Sequence, residues 1–170
     1  MKKLLSLLII ATAFTSCNTS VESEKISGKW LLDDSRFEKG YMAGDQKDYD
    51  LVKKFLDAYE NMDPQGMVDL SAETVKFHPA DIGGVFDVDM TNTDFIVERQ
   101  SNWDSISRNY IFIMPLKMED SENRVVTTAF TETRYVKDGT SESINFYERL
   151  YINEQDQIMR VVQYSRPPND

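Results

Sequence analysis

Between positions 48 and 61 the apolar residues fall at Leu51, Val52, Phe55, Leu56 and Tyr59, a spacing that puts them on one stripe of an amphipathic helix. Asp48 stands where the cap of that helix would sit. Asp63-Pro64 opens a second, short helix carrying Met67, Val68 and Leu70, with Asp as cap and Pro at the first helical position. Residues 73–78 alternate, with Val75 and Phe77 on one face, and read as a strand that Pro79 ends. After the turn Asp81-Ile82-Gly83-Gly84 a further short strand covers 85–90. Thr91 or Thr93 caps a third helix, running to about Arg108, whose apolar side is Phe95, Ile96, Trp103 and Ile106.

From there the pattern is that of strands. Residues 110–118 are apolar and β-rich, and Pro115 marks an edge or a bulge. Residues 125–136 are rich in Thr, Val and aromatics, and Asp138-Gly139 is a two-residue hairpin turn. Strands at 143–152 and 157–165 follow, separated by a turn at 153–156, and Pro167-Pro168 stops the chain. The order is helix, helix, strand, strand, helix and four antiparallel strands. That is an α+β pattern, with helices on one face of a curved sheet. No internal repeat is visible.

The N-terminus reads MKKLLSLLIIATAFTSC: Lys2 and Lys3, an apolar core over 4–13, then small residues, the layout of a secretory signal. Its core is too short to cross the ~30 Å of a bilayer as a helix. Phe14-Thr15-Ser16-Cys17 resembles a bacterial lipobox, with Phe where Leu is usual. That resemblance implies cleavage before Cys17, lipid on Cys17, and a bacterial envelope protein anchored outside the cytoplasm. Ordinary secretion with a free Cys17 is the alternative. At ~0.8 kcal/mol per buried methylene, two or more acyl chains hold a protein stably on a membrane. The chain then divides into a signal peptide at 1–16, a polar tether at 17–45, a folded domain at 46–166 and a tail at 167–170. Within the tether, Gly28-Lys29-Trp30 resembles the G-x-W start of lipocalin-like barrels, but no strand meander follows it.

The stretch VKKFLDAYENMDPQG from Val52, followed by AETVKFHP from Ala72, resembles the SnoaL-like branch of the nuclear-transport-factor-2-like superfamily. There an amphipathic first helix runs through an x-x-D turn into a short second helix and then a D-x-V-x-F-H strand. The resemblance spans about 49–164. It implies a cone: a strongly bent antiparallel sheet wrapped on the long helix, with two further helices and a hollow at the open end. Members include steroid isomerases, polyketide cyclases and dehydratases that use acid–base groups inside the cone. Many others are non-catalytic binding modules, or homodimers paired through the outer sheet face, which aromatics such as Tyr147 and Tyr151 would suit.

Composition narrows the chemistry. At 170 residues, 41% hydrophobic and 28% charged, the chain fits one folded domain. Its 19 Lys and Arg stand against 29 Asp and Glu, a net charge of -10, with no basic run beyond the first three residues. That argues against nucleic acid as a partner, since phosphate backbones need clustered cations. One Cys and one His leave no intrachain disulfide and no Cys or multi-His metal site. With no Gly-rich phosphate loop, nucleophile elbow or zinc motif, no cofactor and no metal is expected.

Two residues are candidates for acid–base chemistry. His78 precedes Pro79 at a strand end, where the resemblance to steroid isomerases implies the proton-shuttling base. An imidazole with an ordinary pKa of ~6.5 suits proton transfer near neutrality. Strand parity, however, turns His78 away from Val75 and Phe77 unless Pro79 brings a bulge. Glu148 lies among Ile144, Phe146, Leu150 and Ile152, on the apolar face of its strand. Such an acid must be paired or kept neutral. A cross-strand ion pair with Arg134 or Arg160 is the simpler reading. The resemblance implies instead a carboxylic acid donating to a substrate oxygen. Phe55 stands where the isomerases carry a Tyr, and Tyr59 lies one turn on. Phe55, Tyr59, Trp103, Tyr110, Phe112, Phe130, Phe146 and Tyr164 suit a pocket for an apolar ligand, or a plain core. Met62, Met67, Met90, Met114, Met118 and Met159 would make such a lining adaptable. The reading is thus a lipid-anchored envelope protein with a pocket for a small, largely apolar molecule, and a dimeric binding module in outline. The alternative is a cofactor-free isomerase-, cyclase- or dehydratase-type enzyme, which needs His78 and Glu148 on one cavity wall.

Overall fold

The computed structural model describes residues 26–122 and 124–168. Cys17 and the signal segment lie outside them. The elements run β1 (Gly28–Lys29), β2 (Gly40–Ala43), α1 (Gln46–Glu60), α2 (Pro64–Asp69), β3 (Ser71–His78), β4 (Phe86–Asp89), α3 (Asp94–Gln100), β5 (Trp103–Met118), β6 (Arg124–Val136), β7 (Ser141–Ile152) and β8 (Ile158–Arg166). All eight strands form one curved, unclosed sheet in the order β1-β2-β5-β6-β7-β8-β3-β4. Every neighbouring pair is antiparallel except β3 and β8. The fold is therefore α+β, a bent sheet wrapped on a long helix.

The stripe on α1 does what its spacing predicts: Val52, Phe55, Leu56, Ala58 and Tyr59 are buried in one core with Val126, Leu150, Ile158 and Val161 of the sheet. Burying a side chain of this size stabilises by about 1.5–3 kcal/mol, so the stripe anchors the helix. Asp48 is not the cap. The helix starts two residues earlier, after Asp45, and Asp48 is buried against Arg124. Asp63 does cap α2, accepting from the Gly66 amide at 2.9 Å. Part of the stretch read as tether is strand: β2 pairs with β5, Tyr41 opposite Met118.

The third helix is shorter than its apolar spacing suggests. It ends at Gln100, and Trp103 and Ile106 belong to β5. Ser101 and Asn102 turn the chain there, and the spacing from Ile96 to Trp103 to Ile106 fits a helix only by coincidence. The long β5 carries a bulge between Tyr110 and Phe112. Before it, Ile106, Arg108 and Tyr110 lie opposite Arg134, Glu132 and Phe130 on the helix-facing side. After it, Phe112 and Met114 lie opposite Ala129 and Thr127 on the outer side. One inserted residue thus exchanges the two faces of the strand. Pro115 sits just past the end of the β2 pairing, where its missing N–H costs nothing.

Candidate functional site

The open end of the cone holds a cavity between α1, α3 and the sheet. Its sides are apolar: Phe55, Leu56 and Tyr59 of α1, Met67 of α2, Val75 and Phe77 of β3, Val88 of β4, Met90, and Phe95 and Ile96 of α3. Its polar end comes from four central strands and from α3: Arg108, Glu132 and Arg134, Glu148, Gln163 and Arg99. Its volume is about 70 Å³. A second, wider hollow adjoins it, lined by Asp81, Glu98, Asn102, Trp103, Glu142 and Ile144. The two share Tyr59, Arg99 and Arg134, which form a neck.

Glu132 organises the polar end. One of its oxygens takes Arg108, Nε at 2.8 Å and a terminal nitrogen at 2.6 Å, and the other takes Arg134 Nε at 2.6 Å. The arginines are also held by rings. Arg108 lies 4.7 Å from the Tyr59 centroid and 4.5 Å from that of Phe130. Arg134 lies 5.0 Å from Trp103 and 5.5 Å from Phe146. Burial disfavours charge on both arginines, but the neighbouring Glu132 more than offsets it, and both are held firmly protonated.

Glu148 makes neither of the expected ion pairs. Arg134 is taken by Glu132 and Glu142, and Arg160, opposite Tyr151, is on the outer face. Instead Glu148 Oε1 accepts from Gln163 Nε2 at 2.6 Å. The other end of that amide, Gln163 Oε1, is buried with no partner. Burial raises the Glu148 carboxyl above its ordinary range, against the pull of Arg108 and the Gln163 bond. Burial thus favours the protonated form of Glu148, which can donate as well as accept.

That state has a measurable consequence. An unfolded Glu titrates near ~4.3, and folded Glu148 keeps its proton to higher pH. In the window above the unfolded value the native state binds the extra proton, so this group's contribution falls as pH rises. Glu148→Gln removes the dependence and supplies a permanent donor. We expect the unfolding free energy of the variant, relative to the natural protein, to rise as the pH is raised above the unfolded value of about 4.3 in urea titrations. A pH-independent difference would contradict a neutral Glu148.

His78 is elsewhere. It pairs with Val162 on β8, on the face opposite Val75 and Phe77, and is not in the cavity lining. Partial burial lowers its pKa, and Arg160 and Lys76 add to that. The sheet separates His78 from Glu148, so the two do not flank one ligand atom. Of the aromatics proposed for the pocket, Phe55 and Tyr59 line the cavity and Trp103 the outer hollow. Phe130 and Phe146 are core, their rings 5.6 Å apart beneath the arginines, and Tyr110 packs on Phe130. Phe112 and Tyr164 face outward, each against Tyr147, because of the β5 bulge and of β8 parity respectively. Met67 and Met90 line the cavity, whereas Met114 and Met159 are exposed.

Sequence reasoning missed Arg99, Arg108, Glu132 and Gln163. A signal for Glu132 was present. Carrying Glu148 across the Asp138-Gly139 hairpin puts Thr128, Phe130, Glu132 and Arg134 on the same face.

No protein-family model and no curated protein matches the sequence. Solved structures match the fold. An NTF2-like protein from Anabaena variabilis superposes with a TM-score of 0.58 at 12% identity, over 75% of this chain and 96% of that one. AusH from Aspergillus nidulans gives 0.57 at 11%, over 75% and 88%. A SnoaL-like protein from Shewanella denitrificans gives 0.55 at 8%, over 72% and 92%. The chain has the NTF2-like fold that SnoaL-like proteins share, and at such identities the likeness is one of fold alone.

Proposed function

We propose that this NTF2-like cone binds one small, largely apolar molecule, and that lipid on Cys17 holds it in the bacterial envelope. The observation that supports binding is the cavity itself: an apolar-sided hollow ending in a built polar cluster, reached through a wider mouth. A simple core would have filled that space, because interiors close-pack. A hollow that keeps buried charges beside apolar walls is the usual form of a ligand site. The acid–base alternative finds less support. Its base, His78, is on the wrong face, which leaves Glu148 as a lone hydrogen-bond donor.

The outer face supports pairing with a second copy. Phe112, Tyr147 and Tyr164 form an aromatic row across β5, β7 and β8, 37%, 41% and 59% exposed. Aromatic rows of this kind are enriched in interface cores.

One preparation tests these points. Cys17→Ser protein is expected to leave the membrane fraction. Native mass spectrometry of it is expected to show two chains, with one small-molecule mass retained per chain or taken up from added benzyl alcohol. Retention of the variant on membranes contradicts the anchor. A monomer contradicts pairing, and failure to hold or take up any small apolar molecule contradicts the binding reading.

A further inference from the structure

We propose that the molecule taken by this cavity is a small organic acid: an apolar body of about benzoate size whose carboxylate is received at the neck by Arg99 and Arg134. The inference rests on the binding reading above and adds the charge of the ligand.

The first ground is how the charges at the polar end are paired. Arg99, Arg108 and Arg134 are in the lining of the inner hollow, against Glu132 and Glu148. Glu132 is fully committed, one oxygen to each of Arg108 and Arg134. Glu148 meets Gln163 and makes no ion pair among the described residues. The remaining partners, Asp81 of Arg99 and Glu142 of Arg134, stand in the outer hollow, about half in solvent and 3.3 Å from their guanidinia. A guest that fills the neck takes water from these two pairs, and a carboxylate on the guest gives the guanidinia back an anionic partner where a neutral or cationic guest does not.

The second ground is Arg99. Its partner is Asp81, with both carboxylate oxygens 3.3 Å from one terminal nitrogen. Charge-assisted N–H···O bonds usually run roughly 2.7–2.9 Å, so this contact is loose. The Asp81 side chain is 55% exposed, whereas that of Arg99 is 22% exposed. Arg99 also leans over the Phe77 ring at 5.4 Å and lines both hollows. It is a guanidinium held lightly at the threshold, able to exchange an exposed carboxylate for an incoming one. The third ground is size. The inner hollow, about 70 Å³ and continuous at the neck with the wider one, takes no more than one ring or a short chain. A carboxylate on such a body reaches the neck while the body meets Phe55, Val75 and Met90.

The test compares benzoate with benzyl alcohol, alike in shape and different in charge, by calorimetry on the full chain in detergent. Benzoate is expected to bind about tenfold tighter, the scale of a hydrogen bond to a charged group. Arg99→Gln is expected to remove most of that preference, so that benzoate binds the variant about as weakly as benzyl alcohol binds the same variant. Asp81→Asn, at an exposed position, frees Arg99 and is expected to tighten benzoate alone. Equal binding of the two probes overturns the acid inference and leaves the cavity reading intact. A benzoate preference that neither variant alters overturns the role of Arg99. Failure of both probes to bind removes the cavity reading, and the acid inference with it.

Discussion

Replacing Glu132 by Gln is expected to lower the unfolding free energy by about 3–5 kcal/mol, the range for breaking a buried ion pair from one side. The size of the loss comes from what remains. Glu132 is 1% exposed and serves two guanidinia whose side chains are 4% and 10% exposed. Without its charge, Arg108 is left, among the described residues, with the Leu56 carbonyl at 3.4 Å, two ring faces and the pull of Glu148. Arg134 keeps Glu142, at 3.3 Å and half in solvent. Gln preserves the shape, but its amide nitrogen must point at one of the two arginines, donor against donor. The control is Glu142→Gln, where an exposed pair is worth about 0–1 kcal/mol. Urea unfolding near neutral pH checks both. If the two variants lose equally little, the cluster at the polar end of the cavity is not the buried hub described above.

What the sequence made legible was local. The α1 stripe, the Asp-Pro start of α2 and the Asp138-Gly139 turn, with Gly139 at φ 87°, each depend on residues a few positions apart. Glu148 on the inner face followed from simple alternation, which β7 obeys from Phe146 to Ile152. The failures share a different origin. The bulge after Tyr110 leaves no mark in the apolar pattern, yet it sends Phe112 to the outer face and so out of the pocket. His78 is turned from the cavity by the parity that its own strand already showed, and the parallel seating of β3 beside β8, a contact between distant segments, adds only its neighbours Val162 and Arg160. The ion pair of Glu148 failed because choosing among carboxylates needs three dimensions. Arg134 had both Glu132 and Glu142 within reach, and Glu132 two positions away held it more closely. Residue types marked the polar end of the site, but their partners came from the sheet.

Replacing Asp48 by Ala is expected to cost about as much stability as the Glu132 change, about 3–5 kcal/mol, without altering ligand affinity. Asp48 is 1% exposed, and both its carboxylate oxygens meet Arg124, the first residue of β6. Arg124 goes on to the Asn153 carbonyl at 3.1 Å and to Asp156 at 2.5 Å, both in the turn between β7 and β8. One guanidinium thus ties the start of α1 to two separate places on the sheet. Removing Asp48 leaves Arg124 with the half-exposed Asp156 and loosens the first turn of the helix. The cavity takes Phe55, Leu56 and Tyr59 from the helix's other half, beyond the buried Val52. A scaffold contact at one end and a binding site at the other should therefore separate in experiment. Urea unfolding is expected to show the full loss, while calorimetry with benzoate on the folded variant shows an unchanged dissociation constant. Asp156→Asn, which removes only the exposed partner, is expected to cost about 1 kcal/mol or less. A large change in benzoate affinity on loss of Asp48 would mean that the helix start and the cavity move together, and the division into anchored base and receptive mouth would fail.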